Sequence, residues 1–170
     1  MSKPAKPRYL IGYSAQVQQQ AQALLDNEQS GTWLLNKYPQ AHDVTAEKAL
    51  YEYAQAIKNR YMRSSSPISK VVYDDKIHII NNALGLHTQA SRVQGKKLKA
   101  KSEIRVSSLF RRVPEPFLRM IVVHELAHLR EKQHDKAFYK LCCHMEPDYH
   151  QLEFELRLYL CHRDRFADLW

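Results

Sequence analysis

The stretch Val122-Val123-His124-Glu125-Leu126-Ala127-His128 decides how this chain is read. On an α-helix, His124 and His128 lie one turn apart on the same face. Both imidazoles can then bind one metal ion while the helix keeps its own backbone hydrogen bonds. Glu125, one step round from His124, can reach a water held in an open position of that metal. Two ligands and a general base on a single turn form the zinc-hydrolase pattern. Composition alone produces it in roughly 3% of shuffled chains, so the surroundings have to decide. Ile121-Val122-Val123 precede the motif, and Leu126, Ala127 and Leu129 fill its gaps, as on a helix buried on most sides. Glu115 and Pro116 suit a first helical turn. The bland alternative is two histidines that merely pack against a core.

A catalytic zinc takes three protein ligands and keeps one position open. His134 is the natural third ligand. A straight helix would carry it off the shared face, so the helix is expected to end near Glu131–Gln133 and let the chain fold back. Proteases with the HExxHxxGxxH pattern share this offset and place a turn glycine where Glu131 stands. Its absence implies a different turn. Glu146, Glu153 and Glu155 are rival third ligands, since some zincins take a glutamate from a later helix.

The 170 residues suit one domain with a real core, and 44% are hydrophobic. The expected division is a flexible basic tail over 1–9 and one domain over 10–170. That domain has a helical front (14–63), a sheet (67–108), and a metal-site helix with C-terminal helices (114–165). No apolar run is long enough to span a membrane, and no signal-peptide core stands at the start. Three cysteines, two of them adjacent (Cys142, Cys143), make a poor disulfide framework, and a reducing cytoplasm fits best. A net charge of +8 favours anionic partners.

Helices are expected over Ser14–Gln29, around Trp33–Tyr38, and over Thr45–Arg63 with Thr45 as N-cap. Two hairpins should follow: Ile68–Tyr73 with Ile77–Ile80 around Asp74-Asp75, and Gly85–Val93 with Lys96–Ser108 around Gln94-Gly95. The predicted sheet is therefore small and mostly antiparallel. In its last strand Lys97, Lys99, Lys101, Glu103, Arg105 and Ser107 share one face, and Leu98, Ala100, Ile104 and Val106 share the other.

From Arg92 to Arg112 there are eight basic residues and one acid, Glu103. A solvated face or a lysine-guarded edge explains this as well as a function does. The functional reading is a rim of Arg92, Lys97, Lys99, Lys101 and Arg105 that draws an anionic substrate or nucleic acid towards the metal. No aromatics alternate with these charges, which disfavours a single-strand nucleic-acid groove. There is no GxxxxGK[ST] or GxGxxG, and with four glycines phosphate would have to be held by side chains.

Asp135–His144 and Pro147–Leu160 read as two further helices. Cys142, Cys143 and His144 suggest a second metal site, but adjacent cysteines diverge on a helix, so buried small hydrophobes fit better. His144 and His150 could hydrogen-bond a tetrahedral intermediate, although surface or core roles explain them too. His42, His78, His87 and His162 have no partner spacing.

Glu115–Leu129 (EPFLRMIVVHELAHL), then His134-Asp135-Lys136-Ala137-Phe138 and CCHMEPDYHQLEF, resemble the YgjP-like metallopeptidases, small cytoplasmic zincins related to the SprT-like and WLM groups. NALGLH (82–87) and RVQGKKLKAK (92–101) extend the resemblance over almost the whole chain. It implies an α+β zincin-like fold, metal ligands at His124, His128 and His134, and Glu125 as base. Two departures bear on substrate choice more than on metal binding. The basic Gly95–Lys101 run stands where the broader family often has Trp-Gly-Ser, and Gln133 replaces the usual Asn before the third His. Proteins of this kind are also described as nucleoside triphosphate, notably UTP, pyrophosphatases.

Three functions follow as expectations. The first is a zinc-dependent metallopeptidase, with the strand near Ile104–Ser108 holding a peptide by strand addition. The second is a UTP pyrophosphatase on the same metal site, with the basic strand holding polyphosphate. The third is a nucleic-acid-binding module with a structural zinc and a fourth ligand from 142–144. Nickel or cobalt would also suit three imidazoles. No membrane partner is expected.

Overall fold

The computed structural model describes residues 8–77 and 102–170. Residues 85–101 of the second expected hairpin, with Arg92, Lys97, Lys99 and Lys101 among them, and the partner residues 78–80 of the first lie outside the described residues.

Three helices come first. α1 (Ala15–Asp26) is capped by Ser14, whose hydroxyl accepts the Val17 N–H at 3.3 Å. α2 (Ser30–Lys37) lies against the last helix so closely that a Cβ on Gly31 would meet His162 Cε1 at 2.9 Å. α3 (Glu47–Tyr61) buries Leu50, Ala54 and Ile57 along one face. Thr45 is not its cap. Ala46 holds that position, and the Thr45 N–H is taken by the Asp43 carbonyl. Residues 8 and 9, expected in the tail, belong to a 3-10 turn (Arg8–Leu10) tied to the C-terminal helix. Arg8 pairs with Asp164, and Arg157 donates to the Tyr9 carbonyl at 3.0 Å.

The sheet corrects the expectation. β1 (Ile68–Asp74) and β2 (Ser102–Ser107) pair in parallel, with Val71 opposite Ile104 and Tyr73 opposite Val106. No antiparallel pair occurs among the described residues. Alternating polarity marks which face a strand buries and is silent on the direction of its neighbour. The Asp74-Asp75 turn is real: the Asp74 carboxylate accepts the Lys76 N–H at 2.8 Å. Such an Asx turn redirects a chain without making a two-residue hairpin. Ile104 and Val106 face the core as expected, while Arg105 lies on the other face against Asp74 at 3.2 Å.

After a 3-10 turn (Ser108–Arg112), α4 (Glu115–Ala127) runs through the middle of the fold. Phe117, Leu118, Met120, Ile121, Val122, Val123, Leu126 and Ala127 are all fully buried. Polar groups on such a helix, His124 and Glu125, are held in a low-dielectric setting. α5 (Lys136–Met145) starts at Asp135, whose carboxylate accepts the Phe138 N–H at 3.0 Å. α6 (Tyr149–Arg165) continues past the expected end at Leu160. Both pack on α4 with α3 and β2, giving an α+β zincin-like arrangement. Leu118, fully enclosed on α4, should lose about 2–5 kcal/mol of stability as Leu118→Ala in urea unfolding. A loss under about 1 kcal/mol would show that α4 is not the centre of the core.

Candidate metal centre

α4 stops at Ala127, earlier than expected, and His128 is its C-cap. Turn hydrogen bonds carry the chain on: the Ala127 carbonyl accepts the Arg130 N–H at 3.1 Å and the Glu131 N–H at 2.9 Å. Among the described non-glycine residues only Glu28 has a positive φ. Glu131 therefore makes the turn in an ordinary conformation, and no glycine is required there.

The turn swings His134 back over the end of α4. His128 Nε2 lies 3.3 Å from His124 Nε2 and 3.0 Å from His134 Nε2. One nitrogen from each of the three falls within 4.8 Å of the others. His124 and His128 are buried, and His134 stands on the solvent side. Phe138, from the first turn of α5, touches all three rings, with centroids 4.6 to 4.9 Å away.

The far ring nitrogens set the protonation. His128 Nδ1–H donates to the Glu131 carbonyl at 3.0 Å, which leaves the Nε2 lone pair facing the cluster. His124 Nδ1 lies 2.7 Å from the Tyr149 hydroxyl, which orients that ring likewise. Burial holds His128 and His134 below the usual imidazole range, the state in which they are ligands. Glu125 is 4% exposed and its Oε1 has no hydrogen-bond partner. Burial pushes its carboxyl well above the ordinary range.

Three converging imidazole nitrogens, with the sequence neighbour Glu125 carrying an orphaned buried oxygen, fit a divalent cation. The donor set is nitrogen only, and a cation there would offset the desolvation of Glu125. The rival ligands are engaged elsewhere. Glu146 pairs with Arg119 at 2.7 Å, Glu153 with Arg157 at 2.9 Å, and the enclosed Glu155 with Lys37 and Tyr38.

Cys142, Cys143 and His144 do not join the cluster. Cys142 is buried, with its thiol pushed up to about 12, and His144 lies edge-on to Tyr61. His150 is exposed beside Tyr139 and Tyr149, at the rim of the site. His42 is structural, bonded to the Phe110 carbonyl and the Val44 N–H, and so is His162, against Ser30. Tyr149 and the Glu131 carbonyl were missed on sequence. Tyr149 is 25 residues from His124, too far for any helical spacing to expose, and a backbone carbonyl leaves no sequence signal.

A three-histidine cluster on an α+β zincin-like scaffold defines a metal-dependent hydrolase. The family model described as "YgjP-like, metallopeptidase domain" matches residues 9–159, and the chain belongs to this YgjP-like family. It is 60% identical over 152 residues to the UTP pyrophosphatase of Escherichia coli (strain K12), spanning 89% of this chain and 91% of that protein. No solved structure matches significantly.

Tyr149→Phe keeps the ring and removes the hydroxyl from His124. Metal affinity, measured by competition with a chromogenic chelator, should fall about 10- to 100-fold with the fold intact. Unchanged affinity would leave Tyr149 a packing residue only.

Proposed function

We propose that this protein hydrolyses nucleoside triphosphates, UTP first among them, to the monophosphate and pyrophosphate at the His124–His128–His134 centre. The hydrolase reading is carried by the convergence of three imidazole nitrogens beside the unpartnered oxygen of buried Glu125. The substrate is carried by the 60% identity to a UTP pyrophosphatase over nearly the full length of both chains.

Zinc is the cation that three neutral imidazoles suit best, with nickel or cobalt as chemical substitutes. When bound, the ion supplies positive charge that polarises a phosphoryl oxygen and makes water more acidic. The chain supplies the rest. Glu125 accepts a proton from the water that attacks the α-phosphorus. The bond from that phosphorus to the bridging oxygen breaks, and pyrophosphate leaves with the electron pair. Tyr149 and the Glu131 carbonyl keep two imidazoles aimed inward during this step.

Arg92, Lys97, Lys99, Lys101 and Arg105 are the residues we assign to the polyphosphate, on the strength of the basic run that leads through β2 towards α4. Arg105 shares its charge with Asp74 and Glu103, so its task is orientation more than net attraction. Peptide hydrolysis at the same centre is the second reading, favoured by the family model's own description. A closed four-ligand structural site has less support, because the cluster holds three histidines and no cysteine among the described residues.

Metal-loaded protein should release pyrophosphate from UTP. Glu125→Gln should lower that rate by roughly 100-fold or more while metal content stays the same. Cleavage of an unfolded protein without pyrophosphate release would replace this reading by the peptidase. Full activity in Glu125→Gln would remove Glu125 from the chemistry.

A further inference from the structure

At the other end of α4 from the histidines lies a cavity of about 300 Å³, lined among others by Ser108, Arg111, Arg112, Tyr159, Arg163 and Trp170. We propose that it is a second binding site, separate from the metal centre, for a small phosphate-bearing anion.

Two helices measure the separation. On α6, Tyr149 touches His124, and Tyr159 stands ten residues further on, about 15 Å at 1.5 Å per residue. On α4, Phe117 precedes His124 by seven residues, about 10 Å, and its ring meets that of Trp170 at 6.0 Å. The core of α4 fills the space between.

The charge of the lining is positive. Three arginines face one acid, Asp168, which Arg163 engages at 2.5 Å. Arg111 and Arg112 have no acidic partner among the described residues. Arg111 is nonetheless fixed: its guanidinium sits 4.9 Å over the Tyr73 ring, and its Nε–H is buried without an acceptor. A planar donor held rigidly loses little freedom when it binds.

Phosphate suits the lining better than carboxylate. It offers more acceptor oxygens to the two guanidiniums of Arg111 and Arg112, and its charge matches the net excess of two. The volume is at the small end for ligand pockets, enough for a phosphate with a modest organic group. Trp170 makes a firm wall, packed on Tyr159 at 4.9 Å and donating its Nε1–H to the Tyr38 carbonyl at 2.9 Å.

The chain has two tryptophans, so Trp33→Phe leaves Trp170 as the only indole reporter. In that background, titration of the full chain with inorganic phosphate should change Trp170 emission saturably, and added salt should weaken the response. Arg112→Glu, at an exposed position, should keep the melting temperature and weaken binding by about tenfold or more. His134→Ala should leave it unchanged, which separates this site from the metal centre. UMP binding tighter than phosphate would assign the site to nucleotides, and equal affinity would assign it to the phosphate alone; both support the proposal. No saturable response in the millimolar range, a response that survives Arg112→Glu, or one that vanishes in His134→Ala would overturn it.

Discussion

A carboxylate buried on an enclosed helix with one oxygen unpaired is a cost the fold has to offset. Glu125 is in that position, and nothing on α4 itself relieves it. Leaving an ionised carboxylate in such a place costs several kcal/mol unless opposite charge stands close by. Among the described residues no lysine or arginine pairs with its unpartnered oxygen. The chain places three neutral imidazoles, which bring in positive charge only by holding a cation. The histidines and the glutamate are thus one electrostatic unit, and the enclosed core around α4 gives that unit its strength.

Geometry within the unit is maintained from outside. α6 contributes the Tyr149 hydroxyl, the turn after α4 contributes the Glu131 carbonyl, and α5 contributes the Phe138 ring beneath the imidazoles. Three separate elements must therefore be folded before the lone pairs converge. α6 has further ties down its length, through Arg157 to the Tyr9 carbonyl and Arg8 to Asp164. The N-terminal segment and the metal centre consequently share one helix as a common support.

What could be read before the fold was known follows a physical line. Local signals were legible: the helices over 14–29, 45–63 and 135–144, the apolar wrapping of α4, and the four-residue spacing of His124 and His128. The return of His134 could be argued because a straight helix forbids it. Strand direction was hidden, since Val71, Tyr73, Ile104 and Val106 would alternate in the same way in either orientation. Thr45 misled because a good capping residue stands one position before the true cap. Long-range partners such as Tyr149 on His124, or Lys37 and Tyr38 on Glu155, carry no periodic signature at all.

The turn after His128 bears on how such sites can diversify. Its key contact is made by the peptide carbonyl of residue 131, and its backbone conformation is open to any L-amino acid that keeps a peptide N–H. The side chain at that position is therefore uncoupled from the coordination geometry. Substitutions there can alter charge and shape at the mouth of the centre while the imidazoles stay where they are. A glycine-dependent turn has no such latitude, because its one permitted residue has no side chain to vary.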